Sequence, residues 1–86
     1  MVDMFWYNSG APTDLNEVRH FAVGSLPENT TNAPTTSYLY FLCFRISKQE
    51  QYIQICFSYW QTTSMYVRFL NSGTWGAWCR YGGTEL

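Results

Sequence analysis

His20 is the only histidine in the chain, and histidine is the side chain whose ordinary pKa suits a general base near neutral pH. The nucleophiles it could serve are Cys43, Cys56 and Cys79. All three fall inside apolar runs that read as strands, where a thiol is more often buried and inert than activated. The acids Asp3, Asp14, Glu17, Glu28, Glu50 and Glu85 stand singly in turns and at the termini, so no spacing pairs two carboxylates for hydrolysis. The cysteines show no CxxC spacing, and with one histidine they do not supply a zinc quartet. Their odd number also argues against a disulfide framework, and they read as small apolar packing residues. Gly82-Gly83 lacks the strand, lysine and helix that turn a glycine-rich loop into a phosphate cradle. The sequence therefore predicts no enzyme, no metal and no cofactor.

The chemistry that remains is recognition by rings. Aromatic residues make up 20% of the chain, more than one small core hides comfortably. Either an aromatic face stays exposed or a second copy of the chain covers it. Flat rings stack on the apolar faces of sugars while amides and hydroxyls bond the rim, which makes Tyr38, Tyr40, Trp60 and Trp78, with Asn32, candidate ligand contacts. Most rings in a small β domain are nonetheless core. The formal net charge of −1, with no run of either sign, disfavours nucleic acid and anionic membranes as partners. No apolar stretch approaches the roughly 20 residues that span a bilayer, and Met1-Val2-Asp3-Met4 lacks the charged and apolar regions of a signal peptide, so no membrane insertion is expected. Without such a signal, the glycosylation pattern Asn29-Thr30-Thr31 carries no weight.

With 86 residues the chain makes one domain. Residues 1–13 form an N-terminal lead-in segment, with Phe5-Trp6-Tyr7 as a short first strand, and 14–86 form the domain proper. Thr13 or Asp14 can cap one or two turns of helix, with Glu17 near a capping-box position. A short strand over 20–24 puts Phe21 and Val23 on one face. Residues 25–37 read as a polar surface loop, a place for contact with a ligand or a neighbouring subunit. Residues 38–46 form a near-continuous apolar strand that should be covered on both faces. Across a turn at 47–50, residues 51–60 return with Ile53, Ile55, Phe57 and Tyr59 toward the core and Gln54 and Ser58 toward something wetter. A strand over 65–70, a three-residue hairpin loop at Asn71-Ser72-Gly73 and a strand over 74–80 complete the pattern, with 81–86 as a fraying exit strand. The fold class is mainly β: an antiparallel three- to four-stranded meander with one short helical turn near the N-terminus.

Several segments taken in order carry a resemblance. Asp14-Leu15-Asn16, His20-Phe21-Ala22-Val23, Asn32-Ala33-Pro34, Tyr66-Val67-Arg68 and Asn71-Ser72-Gly73-Thr74-Trp75-Gly76-Ala77-Trp78 together resemble the knob domain of bacteriophage tail fibres and R-type pyocins, from about Asp14 to Tyr81. The closing Tyr-Val-Arg strand, Asn-Ser-Gly turn and paired tryptophans are its sharpest piece. The lead-in segment is not part of that pattern, and the 38–46 strand is heavier than it requires, which points to an oligomer interface on its second face. Each motif residue also has a physical role. Asp14 and Asn16 can hold a turn, Pro34 fixes the end of the long loop, Gly73 permits the hairpin, and Arg68 can stack on a tryptophan ring. Tyr66 leads the sharpest piece, and Trp75 and Trp78, three residues apart, should point to opposite faces of a flat strand. The resemblance implies a non-enzymatic virion fibre module, made in the bacterial cytoplasm and carried on the virion. It would be a homotrimer, contacting other fibre or tail proteins and attaching to a host-surface glycan or protein. The alternative is a purely structural trimerisation or virion decoration module with no host ligand.

Overall fold

The computed structural model describes residues 6–7, 12–60 and 63–86. The chain is mainly β, as expected. Its centre is a four-stranded antiparallel meander: β2 (Ala22–Leu26), β3 (Leu39–Arg45), β4 (Tyr52–Ser58) and β5 (Ser64–Asn71). A short β1 (Trp6–Tyr7) pairs parallel to β2 on one edge, so the lead-in segment contributes to the sheet. On the other edge, β6 (Thr74–Trp75) and β7 (Cys79–Gly82) both pair with β5, one after the other along its length. The expected helical turn is a 3-10 turn at Leu15–Glu17, and Asp14 caps it by accepting from the Asn16 amide.

Directly paired residues share a face, so register determines what each face contains. One face is covered. Leu26 lies beside Leu39, Phe41 beside Cys56, and Tyr52 beside Leu70, and all of these are buried. Leu15 and Val18, from the 3-10 turn and the residue after it, complete this core, with Ala33, Tyr66, Trp75 and Trp78 packed against it.

The other face has no layer of this chain over it among the described residues. Its central row runs Val23, Leu42, Ile55, Val67, Cys79. Toward one end of the strands the next row is Ser25, Tyr40, Phe57, Met65, Tyr81, and toward the other it is Phe44, Ile53, Phe69. Tyr40, Phe57, Phe69 and Tyr81 are 46, 39, 49 and 53% exposed. Among the described residues, the 38–46 strand is thus covered on one face rather than on both.

Strand β4 is turned over relative to the sequence expectation. Ile53, Ile55 and Phe57 look outward, while Gln54 is fully buried. Gln54 can lie inside because its amide is satisfied there, donating to the Leu15 and Val18 carbonyls at 2.8 and 3.2 Å. The long loop is also shorter and less polar than it reads. Ser25 and Leu26 belong to β2, Leu26 is core, and Thr30 is buried with its hydroxyl donating to the Pro27 carbonyl at 2.9 Å. Phe21 lies just before β2, and Val23 faces the open side.

The last hairpin has a two-residue loop, Ser72-Gly73, with φ of 54° and 82°. Positive φ at both central residues is the twist-matched type that joins antiparallel strands directly. The strand after it is interrupted at Gly76-Ala77-Trp78, and the Gly76 amide donates to the Phe69 carbonyl at 2.8 Å. Because of this interruption Trp75 and Trp78 do not alternate: both rings return to the covered face and meet Arg68.

Candidate functional site

The sequence singled out two sets of residues, and they occupy two different places. The first is a latch over the covered face. Arg68 projects from the middle of β5 and is 5% exposed. Its Nε donates to Gln54 Oε1 at 2.9 Å, and its guanidinium carbon lies 4.1 Å from the Trp75 ring centre and 4.6 Å from that of Trp78. Both distances are within cation–π range. The two indoles anchor the loops above. Trp75 Nε1 donates to the Asn16 carbonyl at 3.2 Å and Trp78 Nε1 to the Asn32 carbonyl at 2.9 Å. Asn32 Nδ2 in turn donates to Asp14 Oδ1 at 2.8 Å, the same oxygen that caps the 3-10 turn.

Backbone pairing between Thr13-Leu15 and Thr31 holds the two loops together, and Asn32 adopts a left-handed φ of 62° there, a region that asparagine tolerates better than most residues. Asp14, Asn16, Asn32, Arg68, Trp75 and Trp78, scattered through the sequence, thus converge in space. Asp14's carboxyl is held below its ordinary pKa, first by the Asn32 amide and then by the Asn16 N–H. Burial lowers Arg68 to about 10, which leaves it charged at neutral pH. The remaining motif residues are structural as well: Tyr66 packs beside this core, Gly73 shapes the hairpin, and Pro34 lies half-buried in the loop.

The second place is on the open side. Tyr38, Tyr40 and Trp60, three of the five ligand candidates, gather there with Tyr59, which strand alternation alone places toward the core. Tyr40 and Tyr59 stack at 4.9 Å with an interplanar angle of 23°, and Trp60 meets Tyr59 edge-on at 4.7 Å. Tyr38 bridges the group, 5.8 Å from Tyr59 and 6.3 Å from Trp60. The strands bring these rings together because the Tyr59 amide donates to the Tyr38 carbonyl just beyond the last β3–β4 pair. Trp60 is 72% exposed. Loss of water, followed by the neighbouring Tyr59, raises the Tyr40 hydroxyl above its ordinary pKa, so it remains a neutral donor and acceptor. The other two candidates, Trp78 and Asn32, belong to the latch and not to this cluster. Tyr59 was missed because strict alternation sent it inward with Ile53 and Ile55. Its pairing with the equally aromatic Tyr38-Leu39-Tyr40 stretch was the available signal.

The thiols divide between the faces. Cys43 and Cys56 are buried, and burial raises the pKa of both, to about 12 for Cys56. Neither is a nucleophile at neutral pH. Cys79 is exposed, contrary to the packing role expected for it, because it closes the central row of the open face. Among the described residues no three His, Cys, Asp or Glu side chains are grouped to hold a metal ion, and no helix is long and apolar enough to cross a membrane. No family model, curated protein or solved structure matches the chain.

Proposed function

We propose that this chain is a non-enzymatic knob module of a phage tail fibre or similar virion appendage, attaching to a glycan of the bacterial surface. The observation that carries the reading is the Tyr38–Tyr40–Tyr59–Trp60 cluster, four solvent-facing rings held by strand pairing. Rings with exposed faces and phenol hydroxyls suit sugars, whose C–H faces stack while their hydroxyls bond the rim. The convergence of the knob-like motif residues into one latch supports the fibre setting, since those residues then serve the fold and leave recognition to the rings.

The uncovered apolar face of the same sheet favours a second reading, a trimerisation or decoration module with no host ligand. A panel of purified bacterial surface polysaccharides separates the two. Retention of a polysaccharide by the chain, lost about tenfold or more in Trp60→Ala and Tyr38→Ala with near-UV circular dichroism otherwise preserved, supports attachment. If no polysaccharide is retained, or binding is indifferent to both substitutions, the structural reading replaces it.

A further inference from the structure

We infer that the open face of the sheet is the surface by which this chain packs against a second copy of itself. An antiparallel sheet with one solvated face ordinarily alternates apolar and polar residues. Here the outward positions of the central row are Val23, Leu42, Ile55, Val67 and Cys79, and no charged residue occupies any paired outward position of β2 to β5. The four exposed rings Tyr40, Phe57, Phe69 and Tyr81 are 39–53% exposed. At about 150–250 Å² per ring, they alone present on the order of 350 Å² to water. That already equals the largest apolar patch of a typical monomer, and the half-buried aliphatic residues between them carry the total toward the roughly 800 Å² per partner of a stable interface.

The absence of charge indicates the occupant. A face of one sign would repel its own copy, and a face evolved for a charged partner would carry the opposite sign. A neutral, largely apolar face meets itself with no charge to desolvate. Two sheets stacked about 10 Å apart would interdigitate these side chains as in a sandwich core. A shallow open depression bounded by Phe57, Met65, Tyr81 and Gly82 offers space for a side chain of the facing copy. The fibre reading supplies only the biological setting for this packing: Tyr40 belongs to both surfaces, while Tyr38, Tyr59 and Trp60 lie beyond the paired rows of the face.

Cys79 makes the interface testable in the unaltered protein, because it lies on this face while Cys43 and Cys56 are buried on the other. The experiment combines molar mass by light scattering with the rate of Cys79 alkylation by a small neutral thiol reagent, at protein concentrations about a hundredfold apart. The expected result is a mass of two or more chains at the higher concentration, with alkylation about tenfold slower there than on dilution. Phe69→Lys places a charge at an exposed position without touching the covered core, and it should restore the monomer mass and fast alkylation. A monomer at both concentrations with a constant alkylation rate would overturn the inference. So would an oligomer whose Cys79 stays fast and which Phe69→Lys leaves intact, since its copies would then meet elsewhere. Neither result bears on polysaccharide retention through Trp60, so the two readings fail separately.

Discussion

Arg68 and Gln54 show how a buried polar pair organises a small core. Arg68 keeps its charge although burial lowers its pKa to about 10, and an isolated charge in that position would cost several kcal/mol. Its stabilisers are the Gln54 carbonyl and the faces of Trp75 and Trp78. The Gln54 amide then turns the other way and holds the carbonyls of Leu15 and Val18, so one side chain joins two strands to the turn above them. Gln54→Leu keeps the volume and removes all three bonds. It should lower stability by about 3 kcal/mol, the cost of leaving a buried charged donor and two buried carbonyls less well paired. Urea unfolding measures it, and a loss below about 0.5 kcal/mol would mean that water substitutes for the amide. The stacking of Arg68 on tryptophan was legible in the sequence. The inward direction of Gln54 was not, because a lone polar residue among apolar ones reads as solvent-facing until its partners, thirty-six and more positions away, are known.

At the level of elements, the turns controlled which face each side chain reached. The strands, their order and the capped turn at Asp14 followed from composition and alternation. The hairpin loop was expected to have three residues, yet Asn71 pairs with Thr74 and leaves only Ser72 and Gly73 in the turn. Gly73 sits at φ 82° with open space where a Cβ would lie, so the penalty for a side chain there is backbone strain alone. Gly73→Ala should cost about 1–2 kcal/mol. Gly82→Ala, also in open space and without a positive φ, should be close to neutral. Thermal unfolding of both variants checks the difference, and equal losses would mean that the turn relaxes into another form. The interruption at Gly76-Ala77-Trp78 has the larger consequence, since an unbroken strand would send Trp78 away from Arg68 and leave Asn32 without its indole partner.

Taken at the largest scale, the described residues form a sheet with one packed face and one they leave open, half of the two-layer arrangement that domains usually adopt. Residues of the open face gain little within the single chain, so association should stabilise the fold by mass action. The unfolding midpoint is expected to rise on the order of 10 °C when protein concentration passes from below to about a hundredfold above the dissociation constant. Differential scanning calorimetry over a dilution series provides the measurement. A midpoint that does not move would mean that the isolated sheet tolerates its open face in water.

The sequence by itself determined the fold class, the meander, the absence of a charge pattern suited to nucleic acid, and the surplus of rings over what one core can hide. Those properties are sums over composition or patterns within a few residues. Only the tertiary structure decided which side of β4 is inside, that Trp75 and Trp78 share a face, that Asn32 and Trp78 belong to a latch, and that Tyr59 joins the exposed rings. Each of these depends on strand register and on hydrogen bonds between residues far apart in the chain. Local alternation distinguishes two faces but cannot say which of two apolar faces the rest of the chain will cover.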